Sequence, residues 1–290
     1  MTPPTINVIE TRHTSTIERT LAAVAFGNEP GSWPLPSATT PHELWLRAVA
    51  SGGQGRYGSA YADLATLRRS FPGRQADRRL VSLAHSTQGS LLRQLGWHTL
   101  ARGWDGRALV LADSDPEARA DALIGLAADA LGVGRFAAAA TLLTRVDAAL
   151  AAAELPDRVA DRLAVRRRWV GAELAMAAGD GATAVRHAEE AVELVEAMAV
   201  ASARHRVKSE VVLAAALCSA GAAERARAVA EAALQATGRF GLTPLRWALA
   251  CLLIDIASVT ISVRELGELT EIRDICAGQV RRAGGTWHTA

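Results

Sequence analysis

Large rings, lysine, strand-forming runs and paired cysteines are all scarce in this chain. Aromatic residues are 4% of its 290 positions, so the core is not built on big side chains. Runs of Val, Ile, Thr and Tyr are nearly absent apart from the short cluster at Val259 to Val263, which argues against sheets. The three cysteines, Cys218, Cys251 and Cys276, are odd in number, far apart and without CxxC spacing, so a disulfide framework is excluded. They read as reduced, buried thiols of a cytoplasmic protein. A basic, apolar leader is missing from Met1 to Arg12. The most apolar stretch, Trp247 to Val263, contains Asp255 and is too short to span a bilayer well, so it reads as a buried helix and no membrane role is expected.

Charge excludes a further class. Thirty-two basic residues face 30 acidic ones, for a net charge of +2. The basic residues are not interleaved with aromatics, so direct nucleic-acid binding is not expected. Only one of the 32 is a lysine, Lys208, an arginine bias that fits a GC-rich bacterial coding sequence.

Alanine is what the chain has in plenty, at 61 residues. It is the best helix former, and its small side chain lets helices approach closely. After a polar start with Pro3 and Pro4, expected to be disordered, Ser15 to Phe26 reads as one short amphipathic helix with Ser15 as N-cap and Glu18 three residues on. Gly27 to Pro41 is a proline-rich linker. Residues 1–40 thus form a flexible N-terminal segment, with a short helix over 15–26. Residues 41–290 alternate helical runs with tight and looser breaks, about twelve helices in six pairs.

Superimposing the tight breaks on Gly55, Gly96, Gly134, Gly179 and Gly221 gives intervals of 41, 38, 45 and 42 residues. Five residues after each glycine stands an alanine: Ala60, Ala101, Ala139, Ala184 and Ala226. Twelve after stand Leu67, Ala108, Val146, Ala191 and Ala233, and nine after stand Leu64, Asp105, Leu143, Ala188 and Ala230, where Asp105 departs from the pattern. Gly55-Arg56-Tyr57-Gly58-Ser59-Ala60 and Gly179 to Ala184 carry this signature best. On these residues the chain resembles the tetratricopeptide repeat (TPR), although its intervals exceed the usual length. The resemblance implies an all-α, right-handed αα-solenoid of about six TPR-like hairpins with atypical C-terminal capping helices. A single hairpin cannot bury its apolar stripe, and stacked neighbours can.

Catalytic signatures are not found. Gly53 to Gly58 matches GxGxxG, but a helix rather than a strand precedes it, so it reads as a helix–helix turn. No two histidines stand three or four apart, and no paired Cys/His spacing exists, so neither a metal nor a cofactor is expected. The expectation is a protein that is not an enzyme.

Two groups of residues suit a partner. His85, Gln88 and Arg93 lie on an unusually polar first helix, readable as a hydrogen-bonding patch or as a plain solvated face. Arg162 and Arg166, four apart, continue into Trp169 and Glu173 on one helix face, and Arg204 and Lys208 repeat the spacing in the next unit. In TPR proteins the first helix of each pair lines a concave groove, so the resemblance places these six residues in one groove. An arginine fork beside a tryptophan suits a carboxylate-bearing peptide or helix. The expected function is a protein-binding scaffold or regulator. The alternative is a repeat domain that senses a ligand or signal peptide and acts on a transcription regulator in trans. Self-association into a homodimer stays open, because solenoid ends expose apolar faces unless capped.

Overall fold

A computed structural model describes residues 6–70, 75–257 and 262–288, with side chains from residue 16 onward and excluding 75–77 and 257. Among the described residues all regular structure is helical. There are thirteen helices: α1 (Ile6–Phe26), α2 (Pro41–Gly53), α3 (Tyr57–Ser70), α4 (Gln75–Gln94), α5 (His98–Ala112), α6 (Pro116–Gly132), α7 (Phe136–Ala151), α8 (Asp157–Ala177), α9 (Gly181–Glu196), α10 (Ala203–Ser219), α11 (Ala223–Arg239), α12 (Thr243–Ala257) and α13 (Val263–Arg282). Each packs on its neighbours in the chain, so α2 to α13 form an α-solenoid of six hairpins.

The five glycines of the repeat make the tight turns of five hairpins. Each has positive φ, between 74° and 87°, which costs a side-chain-bearing residue energy and glycine almost none. The residue after each glycine donates its amide to the carbonyl five residues earlier, as in a Schellman motif. These bonds are Arg56 to Ser51 (2.9 Å), Trp97 to Leu92 (3.0 Å), Arg135 to Ala130 (2.8 Å), Asp180 to Ala175 (2.9 Å) and Ala222 to Leu217 (2.9 Å). Helix starts are also encoded locally. Thr40 and Glu43 form a capping box ahead of Pro41, Asp115 caps α6, and Ser262 with Glu265 caps α13.

The alanine column is buried throughout. Ala60, Ala101, Ala139, Ala184 and Ala226 are all 0% exposed, as are all five residues of the column seven positions later. At the first of these columns all five units carry a methyl group where the second helix of the hairpin packs against its neighbours, while the second column also admits Leu67 and Val146.

The N-terminal reading needs correction. α1 begins at Ile6, within the stretch expected to be disordered, and Ser15 lies inside it rather than at its cap. Glu18 does not serve a capping box; its Oε1 lies 2.9 Å from His42 Nδ1 on α2. The linker is tied down as well: Gln54 Nε2 donates to the carbonyls of Pro30 (2.9 Å) and Ser32 (3.0 Å). The break at Pro72-Gly73 and most of the Val259 to Val263 cluster lie outside the described residues.

The ends of the solenoid meet. α1 packs on α2 and α10, and the Ala203 amide at the start of α10 donates to Gly27 O at 3.1 Å. At the other end Gly58 N donates to Ala283 O (2.7 Å), His288 N to Leu95 O (2.8 Å) and Trp97 Nε1 to Thr286 O (2.6 Å). Trp287 packs on Trp247, with ring centroids 4.2 Å apart. Val280 of α13 joins the buried cluster built by α1 to α6. The end faces, which the sequence leaves open to self-association, thus cover each other. Of the cysteines, Cys276 is buried while Cys218 and Cys251 are half-buried, and all three are free thiols. No described helix is long and apolar enough to cross a membrane.

Candidate binding site

The first helices of the six pairs, α2, α4, α6, α8, α10 and α12, pack on one another in series. Together they wall a cavity of about 410 Å³. Every one of these helices contributes to the lining, and Phe26 at the end of α1 joins them. The helical spacing of Arg162, Arg166, Trp169 and Glu173 turns all four to this cavity, and Arg204 and Lys208 come in from α10. All six residues of the expected groove therefore meet at one place.

Several of these charges are already matched within the chain. α6 carries Glu117 and Asp121, four residues apart, beside the arginine pair of α8. Arg162 Nη2 donates to Glu117 Oε1 at 2.6 Å, and Arg166 is hydrogen-bonded to Asp121. Lys208 Nζ lies 3.2 Å from Glu173 Oε1. The sequence reading left Arg162 and Arg166 to a partner's carboxylate; instead they staple α8 to α6. Such staples are charge-assisted and sit in a partly dry interior, where removing one partner strands the other.

Arg93 is held in the same way. Its Nη1 donates to Asp105 of α5 and, at 2.9 Å, to Asp129 of α6. Both carboxylates are 0% exposed. Gly89 and Gly125 make the space, since a Cβ on either would stand 2.5 Å from an Asp105 oxygen. Burial raises the Asp105 carboxyl to about 7 against the pull of Arg93, and Asp129 pushes in the same direction as burial. The aspartate that breaks the repeat pattern is thus the buried partner of Arg93.

Arg204 differs from its neighbours. Its Nη1 donates to Val49 O at 3.1 Å, and its guanidinium lies 5.9 Å from the Phe26 ring centroid. Among the described residues it has no carboxylate partner. Burial, with the charge of Arg162 added, pushes it down to about 10, which leaves it charged at neutral pH. Arg166 is also brought to about 10, by burial and by Arg93 and Arg204, with Asp105 opposing. Beside Arg204 the His205 ring is buried and stacks on Trp169 at 5.4 Å, its Nδ1 2.8 Å from Ser202 Oγ. Burial and the charges of Arg204, Arg162 and Arg166 hold His205 well below its ordinary pKa, so the ring is neutral. Trp169 is fixed by its Nε1, which donates to Ser209 Oγ at 2.9 Å.

The other expected patch is not presented to a partner. His85 and Gln88 are buried, 9% and 8% exposed, and neither lines the cavity. His85 Nδ1 lies 2.8 Å from Val81 O, and its ring packs on Trp104 with centroids 5.3 Å apart. The polar face of α4 is interior to the stack rather than solvated. Only Arg93 of that group reaches the cavity.

Sequence reasoning missed Phe26, Trp45, His205, Glu117 and Asp121, whereas Ser86 belongs to the polar stretch of α4 that it singled out. The acid pair had a signal: Glu117 and Asp121 stand 45 residues before Arg162 and Arg166, the same interval as Gly134 to Gly179. Phe26 had none, because its segment reads as separate from the repeats. Among the described residues no group of three or more His, Cys, Asp or Glu side chains is placed to hold a metal ion. No family model matches the chain, and no curated protein is significantly similar to it.

Proposed function

We propose that the protein is a non-enzymatic binding module, a TPR-like solenoid that takes a carboxylate-bearing segment of another protein into its central cavity. The observation that carries this reading is convergence. Six inner helices bring cations and aromatic faces to one cavity, and the residues singled out on α8 and α10 all lie there. Aromatic and arginine anchors in partly enclosed sites dominate recognition of this kind. The free thiols fit a cytoplasmic setting.

A second reading is favoured by the size of the cavity. About 410 Å³ falls in the range of small-ligand sites, roughly 300–1,000 Å³. A helix with side chains is roughly 10–12 Å across and would need a longer open groove. A short chain segment or a small ligand therefore fits better than a long partner helix, and a sensor acting on a regulator in trans would use the same cavity.

The test is affinity capture from cytosol with the intact protein beside a Trp169→Leu/Lys208→Gln double variant. Both positions are half-exposed, so the helical circular-dichroism signal should survive. A stoichiometric partner lost in the variant supports the module reading. Equal capture by both proteins removes the cavity as the site.

A further inference from the structure

The cavity's charge is uncompensated at one point. Arg93 has Asp105 and Asp129, Arg162 and Arg166 have Glu117 and Asp121, and Lys208 has Glu173. Arg204 alone among the five lining cations has no carboxylate partner among the described residues. The two lining histidines do not add to this charge, since burial lowers both His98 and His205.

Arg204 is half-buried, and a cation partly withdrawn from water without a counter-ion is unfavourable unless something completes it. The surroundings say what would. Phe26 lies beside both Arg162 and Arg204, at 5.2 and 5.9 Å from the guanidinium carbons, and Trp169 carries Lys208 over its ring at 5.9 Å. Trp45, Leu91, Ile124 and Trp247 supply further apolar wall. One more donor is idle: Ser86 lines the cavity, is 2% exposed, and its buried Oγ has no hydrogen-bond partner.

From this arrangement we infer that the cavity binds a singly charged organic carboxylate with a flat or apolar body, its carboxylate on Arg204 and its body against Phe26, Trp45 and Trp169. The inference rests on the reading of the cavity as the binding site and adds the class of ligand. One carboxylate matches the one lining cation that has no carboxylate in contact. A dianion would bring a second charge into a site whose other cations are already paired with acids. Two sources share the chemistry: a free small-molecule carboxylate, and the last residue of a peptide with an apolar side chain.

The probes follow from that statement and are used on the intact protein by isothermal titration calorimetry. 2-Naphthoate and N-acetylphenylalanine represent the two sources. 2-Naphthamide and N-acetylphenylalaninamide are their neutral partners, and 2-naphthyl phosphate is the dianion. At least tenfold tighter binding of a carboxylate than of its amide and of the phosphate is the expected result, and the carboxylate that binds tighter identifies the source. Arg204→Gln should lose at least tenfold for the carboxylate and little for the amide, with Arg204→Lys restoring part of the loss. Arg225→Gln, on the exposed face of α11, should change nothing. Because the ligand series is read on the unaltered protein, it stands even if a variant folds poorly. Amides that bind as tightly as acids keep the cavity as a site and overturn the carboxylate inference, as does tighter binding of the phosphate. No binding by any probe, neutral or charged, overturns the cavity reading along with it.

Discussion

Replacing Arg93 with methionine tests the electrostatics of the fold most directly. The guanidinium holds together two carboxylates, Asp105 and Asp129, that are both 0% exposed. Methionine keeps most of the aliphatic volume and removes the charge. Breaking a buried pair by deleting one partner costs about 3–5 kcal/mol. With an unfolding entropy of about 2.1 cal/mol/K per residue, a chain of 290 residues should lose about 5–8 °C in Tm. The pH dependence is diagnostic. Asp105 titrates near 4 when unfolded and at about 7 when folded, so between those values the folded chain holds a proton that the unfolded chain has lost. Its contribution therefore favours the fold in acid and is lost as pH rises from about 4 to 7. Without Arg93 the two carboxylates keep a shared proton to higher pH, and the loss continues beyond 7. Urea unfolding at pH 5.5 and 8.5, followed by circular dichroism, should show a wild-type-to-variant gap that widens at pH 8.5. Adding Asp105→Asn to the variant should recover part of it. A gap of the same size at both pH values, or one below about 1 kcal/mol at pH 8.5, would refute the argument.

Three further perturbations address the repeat frame and the closure. Gly179→Ala and Gly221→Ala put a Cβ on residues with φ of 75° and 80° but meet no atom within 4 Å, so each should cost about 1–2 kcal/mol from backbone strain alone; stability unchanged in denaturant titrations would contradict that. Ala184→Leu, at a 0% exposed position, should cost about 1–3 kcal/mol by overpacking, and Ala182→Leu on the exposed side of the same helix should cost almost nothing. Equal effects at the two sites would mean that the repeat register is misread. Trp287→Ala removes the ring packed on Trp247 and should loosen the tail without melting the hairpins, so hydrogen exchange should accelerate at the Gly58 amide, which donates to Ala283 O, and not within α8 or α9. Unchanged exchange at Gly58 would remove the tail's role in closure.

How far the sequence spoke depended on whether a feature was local. The turns were legible because a positive-φ position selects glycine within a single hairpin, and all five chosen glycines occupy one. The alanine column was legible for a related reason: the same contact recurs every 38 to 45 residues, so one steric limit is written five times. The inner face of α8 and α10 could be read from four-residue spacing once first helices were taken to face inward. The polar face of α4 could not, because spacing shows that His85 and Gln88 share a side but not which side is interior. The fate of Arg162 and Arg166 was hidden differently. Their partners, Glu117 and Asp121, stand one repeat earlier, so the signal lies in the interval between repeats and not in the spacing within one helix.

Closure itself had no repeating signal, since it is made by parts that occur once. A solenoid of stacked hairpins has two apolar end faces and an open groove, and each contact in the stack is between neighbours. Here α1 and the segment after α13 lie outside the six hairpins, and both return to the stack: Gly27 O receives the Ala203 amide, and Trp287 reaches Trp247. The same segments change what the groove can hold. Phe26 enters between Trp45 and His205, with ring centroids 5.4 and 6.3 Å away, and narrows a surface suited to a long partner into a cavity of about 410 Å³. Ring closure also brings α10 against the end of α2, where Arg204 donates to Val49 O rather than to a carboxylate. The staples between first helices pair a cation of one unit with an acid of an adjacent unit. At the seam where the last units meet the first, Arg204 meets a backbone carbonyl instead of an acid. The candidate site is in this sense a product of closure, and the residue most exposed to it by that logic is Arg204.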